Sequence, residues 1–205
     1  MRNRTLKAMQ AAVLAGCFAA TMACALKPGE TAPEFKGTDS NGKTETLSQY
    51  RGKYVVLEWT NHECPYTMKH YDSGHMEALQ KQWTAKGVVW LSIISSAPGQ
   101  QGYMTPAMEN EYLHKMHADP TAVILDPSGT IGRLYDAKTT PHMFVIDPSG
   151  RLIYEGAIDD RPSPDPSTLK GAHDYVSAAL EEAMSGHAVQ TPVTRSYGCS
   201  VKYAE

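Results

Sequence analysis

The sequence predicts an α/β protein with a central mixed β-sheet flanked by helices and an N-terminal β-hairpin. The hairpin is indicated by Asn41-Gly42, the strongest short hairpin signal, between two segments with strand character. Two unbroken apolar runs, at residues 54–59 and 88–94, flank a stretch with helical spacing, which is typical of parallel strands joined by a helix. A second hairpin, turning at residues 147–150, adds antiparallel strands and makes the sheet mixed.

The remaining elements follow in chain order. The first hairpin uses residues 35–37 and 44–47 as its strands. The helix after the first apolar run covers residues 65–86, and we expect Ser73-Gly74 to interrupt or kink it. The later elements are a helix at 108–118, a strand at 122–125, a short helix at 130–135, hairpin strands at 142–146 and 152–154, and a last helix at 169–184.

Composition and charge indicate one globular domain without a nucleic-acid partner. The 205 residues are 41% hydrophobic and 20% charged, which is enough apolar material for a sizeable core. The formal charge is −3, and removing residues 1–25, with three basic residues and no acid, leaves 16 − 22 = −6. A mildly acidic chain has no electrostatic reason to bind a polyanion.

The first 25 residues have the pattern of an export signal. A basic start precedes an apolar run at residues 11–23, and Ala23-Cys24-Ala25 fits the small-residue cleavage pattern. We therefore expect a signal peptide at 1–25, a domain at 26–186, a C-terminal tail at 187–205 and a periplasmic protein. The alternative is a lipoprotein anchored at Cys17, because Leu14-Ala15-Gly16-Cys17 is similar to a bacterial lipobox.

Export changes the cysteine count. Two of the four cysteines, Cys17 and Cys24, fall inside the signal, so the mature chain keeps Cys64 and Cys199. In an oxidising compartment two thiols form either a disulfide or a redox pair.

Cys64 stands where a strand stops and a helix begins. Pro65 is favoured at the first helical position, so Cys64 lies at or beside the N-cap. The unpaired N–H groups and the helix dipole there favour a thiolate and lower the cysteine pKa. A lone cysteine after a strand is often only a small buried hydrophobe, but the neighbours Asn61, His62 and Glu63 are polar, which favours a reactive thiol. The loop at 95–106 either overlooks Cys64 or is a plain surface insertion.

Several motifs together resemble the thioredoxin fold, and more closely the redoxins of the alkyl hydroperoxide reductase/thiol-specific antioxidant family. The similarity covers residues 26–182. It rests on Cys64 at the helix start, Thr140-Pro141 before a strand, Gly29-x-x-Ala32-Pro33-x-Phe35, and Ile146-Asp147-Pro148-Ser149-Gly150. The resemblance implies a thioredoxin-like fold and a cis Pro141 facing the reactive cysteine. It also implies that Pro65, Thr140 and Pro141 form the substrate-binding side.

Three acid or base residues are candidates for moving protons. The resemblance assigns Glu58, six positions before Cys64, a role in moving the thiol proton, and burial in a strand should raise its pKa. A structural acid satisfied by a neighbouring donor is the alternative. His62 and Glu63 could donate a proton to a leaving group, although as loop residues they are more often passive.

The departures from the family motifs keep two enzymatic hypotheses open. Thr67 occupies the position where a thioredoxin has its second cysteine, and the peroxiredoxin motif is incomplete. Cys64 could attack the disulfide of a redox partner protein, or it could reduce a small peroxide. In either hypothesis Cys199 could resolve the intermediate, within one chain or across a possible homodimer. The alternative is that Cys199 stays unpaired and an external thiol resolves Cys64. Neither reaction needs a cofactor.

The alternative from another class is a metal-binding protein. Thr60-x-x-x-Cys64-Pro65 is similar to the Cys-x-x-x-Cys-Pro motif of thioredoxin-fold copper chaperones with the first cysteine replaced. Thiolate and imidazole together suit copper(I) or zinc, and the candidate neighbours of Cys64 are His62, His70, His75 and His142.

Overall fold

The structure is a computed structural model that describes residues 26–205. The predicted signal peptide at residues 1–25 lies outside the described residues, as does the lipobox at Cys17. In residues 26–205 no helix is both long and apolar enough to cross a membrane.

Nine strands and five α-helices alternate along the described chain, with 3-10 turns at Ser48–Tyr50 and Pro166–Leu169. The strands are β1 (Lys36–Asp39), β2 (Thr44–Thr46), β3 (Val55–Trp59), β4 (Val89–Ile94), β5 (Ala122–Leu125), β6 (Thr139–Thr140), β7 (His142–Ile146), β8 (Leu152–Gly156) and β9 (Cys199–Ser200). The helices are α1 (Pro65–Asp72), α2 (His75–Thr84), α3 (Pro106–Met116), α4 (Thr130–Leu134) and α5 (Tyr175–Met184).

Seven strands form one mixed sheet in the order β2-β1-β5-β4-β3-β7-β8. The strands β3, β4 and β5 are parallel, whereas β1, β2, β7 and β8 join antiparallel. The predicted mixed sheet, the N-terminal hairpin and the order of the main elements are therefore confirmed. The strand that leads to Cys64, β3, lies in the middle of the sheet and is buried along its whole length.

Each face of the sheet carries its own apolar core. Alternate side chains of β3 point to opposite faces, so Leu57 and Trp59 join one core while Val56 joins the other. Glu58 lies on the same face as Val56 and is completely buried. A carboxylate is thus held inside the layer that contains this core.

Two details of the helices bear on the predictions. The expected interruption near Ser73-Gly74 is confirmed, because Gly74 adopts a left-handed conformation (φ 73°) between α1 and α2. The prediction that the last helix begins at residue 169 is wrong. Gly171 is left-handed (φ 72°), and the side chain of Asp174 accepts a hydrogen bond from the backbone N–H of Ser177, which caps α5 at its true start.

The sequence did not predict the short strands β6 and β9, which form a separate two-stranded sheet. Thr139 pairs with Ser200 and Thr140 with Cys199. Below this ladder Val201 is buried against the core, and its backbone N–H donates to the carbonyl of Lys138. The C-terminal tail is therefore a folded part of the domain.

Candidate active site

Cys64 occupies the N-cap of α1, with Pro65 in the first helical turn. Its carbonyl accepts hydrogen bonds from the backbone N–H groups of Thr67 and Met68, both at 2.9 Å. The strand-to-helix junction expected from the sequence is present, and it holds the cysteine at the positive end of the helix. The side chain of Cys64 is fully buried.

The sulfur of Cys64 faces the loop that enters β7. Its Sγ lies 3.0 Å from the carbonyl oxygen of Thr140, to which the protonated thiol donates a hydrogen bond. The Thr140-Pro141 peptide bond is cis, as the family resemblance implies. Thr140 therefore contacts the thiol directly, and Pro65 and Pro141 are the chain neighbours of Cys64 and Thr140.

The tail places Cys199 at the same point, because Cys199 is paired with Thr140 in the β6–β9 ladder. The tail approaches the backbone of Thr140 closely, since a Cβ added at Gly198 (φ 126°) would lie 2.1 Å from the Thr140 carbonyl oxygen. Both cysteines are free thiols, and Cys199 is half-buried where Cys64 is fully buried.

The surroundings shift the pKa values of the two thiols in opposite directions. Burial raises the pKa of Cys64, but hydrogen bonds from the Cys199 thiol, the Thr140 side chain and the backbone N–H groups of Cys199 and Thr67 bring it below the ordinary value of 9.0. Burial, together with the hydrogen bond to Cys64 and its negative charge, raises the pKa of Cys199 to about 11. When the pair loses its first proton, Cys64 is therefore the sulfur that becomes the thiolate, and Cys199 keeps its proton.

Glu58 lies on β3 inside a network of donors. Its carboxylate accepts hydrogen bonds from Trp90 Nε1 (2.8 Å), Ser92 Oγ (2.9 Å), Tyr71 OH (3.0 Å) and Gln80 Nε2 (3.5 Å). Burial raises the pKa of Glu58, and these hydrogen bonds oppose the shift. The expected direction of the shift is confirmed. Since four side chains satisfy the carboxylate and none is Cys64, the geometry favours the structural alternative.

His62 and Glu63 have opposite environments. The expectation that both lie on the surface is wrong for His62, whose ring stacks on Tyr112 at 3.7 Å and whose Nε2 lies 2.9 Å from Glu109 Oε2. His62 Nδ1 is buried and has no hydrogen-bond partner in the described structure. Glu63 is exposed and engages its neighbours only through its backbone. Glu109 had no signal in the sequence, because its contact with His62 depends on how α3 packs.

The loop at residues 95–106 lies against the turn before Cys64. Asn61 Nδ2 donates to the carbonyl of Gln101 (3.1 Å), and Gln101 Nε2 donates to the carbonyl of Glu63 (3.1 Å). Gly102 is required at this contact, since an added Cβ would lie 2.1 Å from Asn61 Oδ1. Of the two alternatives for this loop, the one that places it beside the Cys64 turn is correct.

A second network, missed from the sequence, anchors the tail two residues before Cys199. The hydroxyl of Tyr197 donates to Asp159 Oδ1, and Lys69 Nζ donates to Asp159 Oδ2 (3.3 Å) and to the Tyr197 hydroxyl (3.2 Å). Lys69 and Asp159 are both buried. The network ties the tail to α1, the helix that Cys64 begins.

The geometry of residues 26–205 does not support metal binding, because these residues contain no group of three or more His, Cys, Asp or Glu side chains placed to hold an ion. His70 and His75 face each other, with 3.0 Å between their Nδ1 atoms, while His142 lies beside Glu155. No histidine makes a hydrogen bond to Cys64 in this part of the chain.

The comparison with curated proteins finds distant relatives of one kind. Thiol-disulfide oxidoreductase ResA of Bacillus subtilis is 27% identical over 128 residues, which are 62% of this chain and 66% of that protein. The match therefore spans just under two thirds of the relative's own length.

Solved structures agree on the fold. An uncharacterized conserved protein from Geobacillus kaustophilus has a TM-score of 0.76 and 23% identity, covering 87% of this chain and 93% of that one. The thioredoxin domain of a thiol-disulfide oxidoreductase from Bacteroides vulgatus has a TM-score of 0.52 and 17% identity, covering 72% and 98%. The fold is thioredoxin-like. The profile of the AhpC/TSA family matches residues 28–155, more than half of the chain, and the protein belongs to that family.

Proposed function

We propose that the protein is an exported thiol-disulfide oxidoreductase in which Cys64 and Cys199 cycle between a dithiol and a disulfide. The observation that carries this proposal is the register of the β6–β9 ladder, which sets Cys199 opposite the residue whose carbonyl contacts the Cys64 sulfur. The names of the curated relatives support the same reaction class.

The two thiols would play different parts in the cycle. Cys64 is the thiolate, because the helix start and the surrounding hydrogen-bond donors stabilise its negative charge. Cys199 supplies the second thiol, the role that Thr67 cannot fill at the position where a thioredoxin has cysteine. Two electrons pass to a partner disulfide as the Cys64–Cys199 bond forms, and the partner leaves as two thiols. The physiological partner would be a thiol or disulfide redox protein.

Peptide mapping without reductant tests the proposal. The mature chain is treated with diamide, digested and analysed by mass spectrometry, with Cys64→Ser and Cys199→Ser as controls. We expect the Cys64 and Cys199 peptides to be linked in the wild type and unlinked in both variants. Failure to find this link, within a chain or between two chains of a homodimer, would contradict the proposal.

A second candidate activity is reduction of a small peroxide. Cys64 is completely buried, so a small oxidant would reach it more easily than a folded partner. The hydroxyls of Thr60 and Thr67 are buried without hydrogen-bond partners in residues 26–205, which leaves donors for a peroxide oxygen. Peroxide would convert the Cys64 thiolate to sulfenic acid, and Cys199 would condense with it and release water.

Parallel exposure to peroxide and to a model disulfide separates the two activities. A sulfenic acid or internal disulfide that forms faster with peroxide than with the disulfide would favour the peroxidase. N-terminal sequencing of protein from the native host tests export, because the proposed periplasmic form begins at Leu26. A lipid-modified Cys17 would support the anchored form instead.

A further inference from the structure

A cavity of about 630 Å³ lies beside the cysteine pair and has no part in the proposal above. Its walls include three aromatic residues, an acidic and a basic residue, and a glycine of the tail. These are Tyr66, Tyr175, Tyr197, Asp160, Arg195 and Gly198. Gly198 directly precedes Cys199, and Tyr66 follows Cys64 by two positions. The volume is within the usual range for a ligand site.

One wall of the cavity is a segment of the tail, residues 195–198, that belongs to no helix or strand and has free backbone groups. Residues 195–198 make no backbone–backbone hydrogen bond in the described part of the chain, although both flanks are fixed. On one side the backbone N–H of Thr194 donates to the carbonyl of Glu155, and on the other Cys199 pairs with Thr140. A segment that is fixed at both ends and has unpaired N–H and C=O groups can hydrogen-bond to the backbone of an extended peptide.

The sulfurs of Cys64 and Cys199 differ in their solvent exposure. Cys64 is 0% exposed beneath the tail, whereas Cys199 is half-buried and directly follows Gly198, which lines the cavity. An incoming thiolate would therefore meet Cys199 first. Cys64 is also the better leaving group, because a sulfur with the lower pKa departs more readily as thiolate.

From these observations we propose that the cavity binds an extended, cysteine-containing segment of a partner protein and directs its thiol to Cys199, with Cys64 as the internal thiol. The partner thiolate attacks the Cys199 sulfur, the Cys64–Cys199 bond breaks, and Cys64 leaves as a thiolate. A second partner thiol then releases Cys199 and completes the partner's disulfide. Two partner thiols are oxidised as one disulfide is reduced.

The first test locates the mixed disulfide. The oxidised wild-type chain is mixed briefly with a pentapeptide that has capped ends and a central cysteine, quenched with acid, alkylated and mapped by mass spectrometry. We expect the peptide adduct on Cys199 and the alkyl group on Cys64. The reverse assignment would overturn the inference.

The second test fills the cavity. Ser196→Trp, on the cavity wall, should slow reduction of the disulfide by the pentapeptide by about tenfold, the effect of losing roughly 1.4 kcal/mol of binding. Reduction by dithiothreitol, which needs no cavity, should stay within about twofold. Ser185→Trp, at an exposed serine outside the cavity, is the matched control and should leave both rates unchanged. If Ser196→Trp slows reduction by the pentapeptide and by dithiothreitol equally, or slows neither, the inference is contradicted.

The inference rests on the proposed function, because it needs the Cys64–Cys199 disulfide. The two can fail separately. Absence of that disulfide in the starting material contradicts the proposed function, whereas a disulfide attacked at Cys64 overturns only the assignment of Cys199. If Ser196→Trp slows reduction of the disulfide by glutathione, a free tripeptide, as strongly as reduction by the pentapeptide, the assignment to a protein segment is wrong.

Discussion

Replacing Gly198 with alanine should loosen the tail and weaken the Cys64–Cys199 pair. Gly198 has φ 126°, a conformation that residues with a side chain rarely adopt. An added Cβ would lie 2.1 Å from the carbonyl oxygen and 2.8 Å from the carbonyl carbon of Thr140. Both atoms belong to the backbone, so the contact can be relieved only if the tail moves away from β6.

The size of the effect follows from the backbone cost. A side chain forced into this region costs about 1–3 kcal/mol, before the contact with Thr140 is added. If roughly 2 kcal/mol is relieved by undocking the tail, the effective concentration of Cys199 at Cys64 falls about 30-fold. For a two-electron couple this raises the reduction potential by about 45 mV, because a tenfold change in the equilibrium constant corresponds to roughly 30 mV.

Equilibration in glutathione redox buffers, followed by acid quenching and mass spectrometry, measures the potential. Gly171→Ala is the matched control, because Gly171 also has a positive φ (72°) but an added Cβ would contact nothing within 4 Å and the residue is outside the tail. Circular dichroism would verify that both variants keep the folded domain. A Gly198→Ala protein with the wild-type potential would refute the role of the β6–β9 ladder.

Three further substitutions test other parts of the site. Glu58→Gln removes a carboxyl group whose folded-state pKa is raised, so the carboxyl stabilises the fold most below its ordinary pKa of 4.5 and loses that contribution as pH rises. Urea unfolding at several pH values should show the wild type losing stability relative to the variant with rising pH, and a constant difference would contradict this. Cys199→Ala removes a hydrogen bond that lowers the pKa of Cys64, so titration of the thiolate absorbance should give a higher Cys64 pKa than in the wild type. An unchanged Cys64 pKa would mean that the two sulfurs do not interact. Tyr197→Phe should lower the free energy of unfolding by about 1–3 kcal/mol, because it removes hydrogen bonds to two buried charged partners, Asp159 and Lys69. Tyr203→Phe, which loses one hydrogen bond to a backbone carbonyl, should cost about 1 kcal/mol. Equal losses would show that the charged partners do not matter.

The sequence was sufficient to predict the strands, turns and helix starts whose signals lie within a few neighbouring residues. Apolar runs identified β3 and β4, Asn41-Gly42 identified the first hairpin, and Pro65 identified the start of α1. The start of α5 was missed because residues 169–174 have helical spacing but contain Gly171 in a left-handed conformation. Propensity over a window cannot detect one residue whose backbone conformation ends the pattern.

The contacts around the site could not be read from the sequence, because each joins residues far apart in the chain. Lys69 and Asp159 are separated by 90 positions and Tyr197 lies 38 further on, yet all three share one buried network. A lysine in an amphipathic helix is normally solvated, but the chain at residues 159–161 and the tail both contact this one. His62 is likewise buried by a distant element, because α3 covers the loop in which it lies.

The tail also accounts for the odd cysteine spacing of this chain. A thioredoxin-type second cysteine would stand at position 67, one helical turn after Cys64, but Thr67 is there with a buried, unpaired hydroxyl. In the proposed cycle the second thiol comes instead from β9, which pairs with the strand that carries Thr140. A resolving thiol within the helix moves with that helix, whereas a thiol on a docked strand can be released by undocking. If the proposed cycle is correct, tail docking sets both the exposure of Cys64 and its pairing with Cys199, so changes that loosen the tail should uncover Cys64 and weaken the disulfide together.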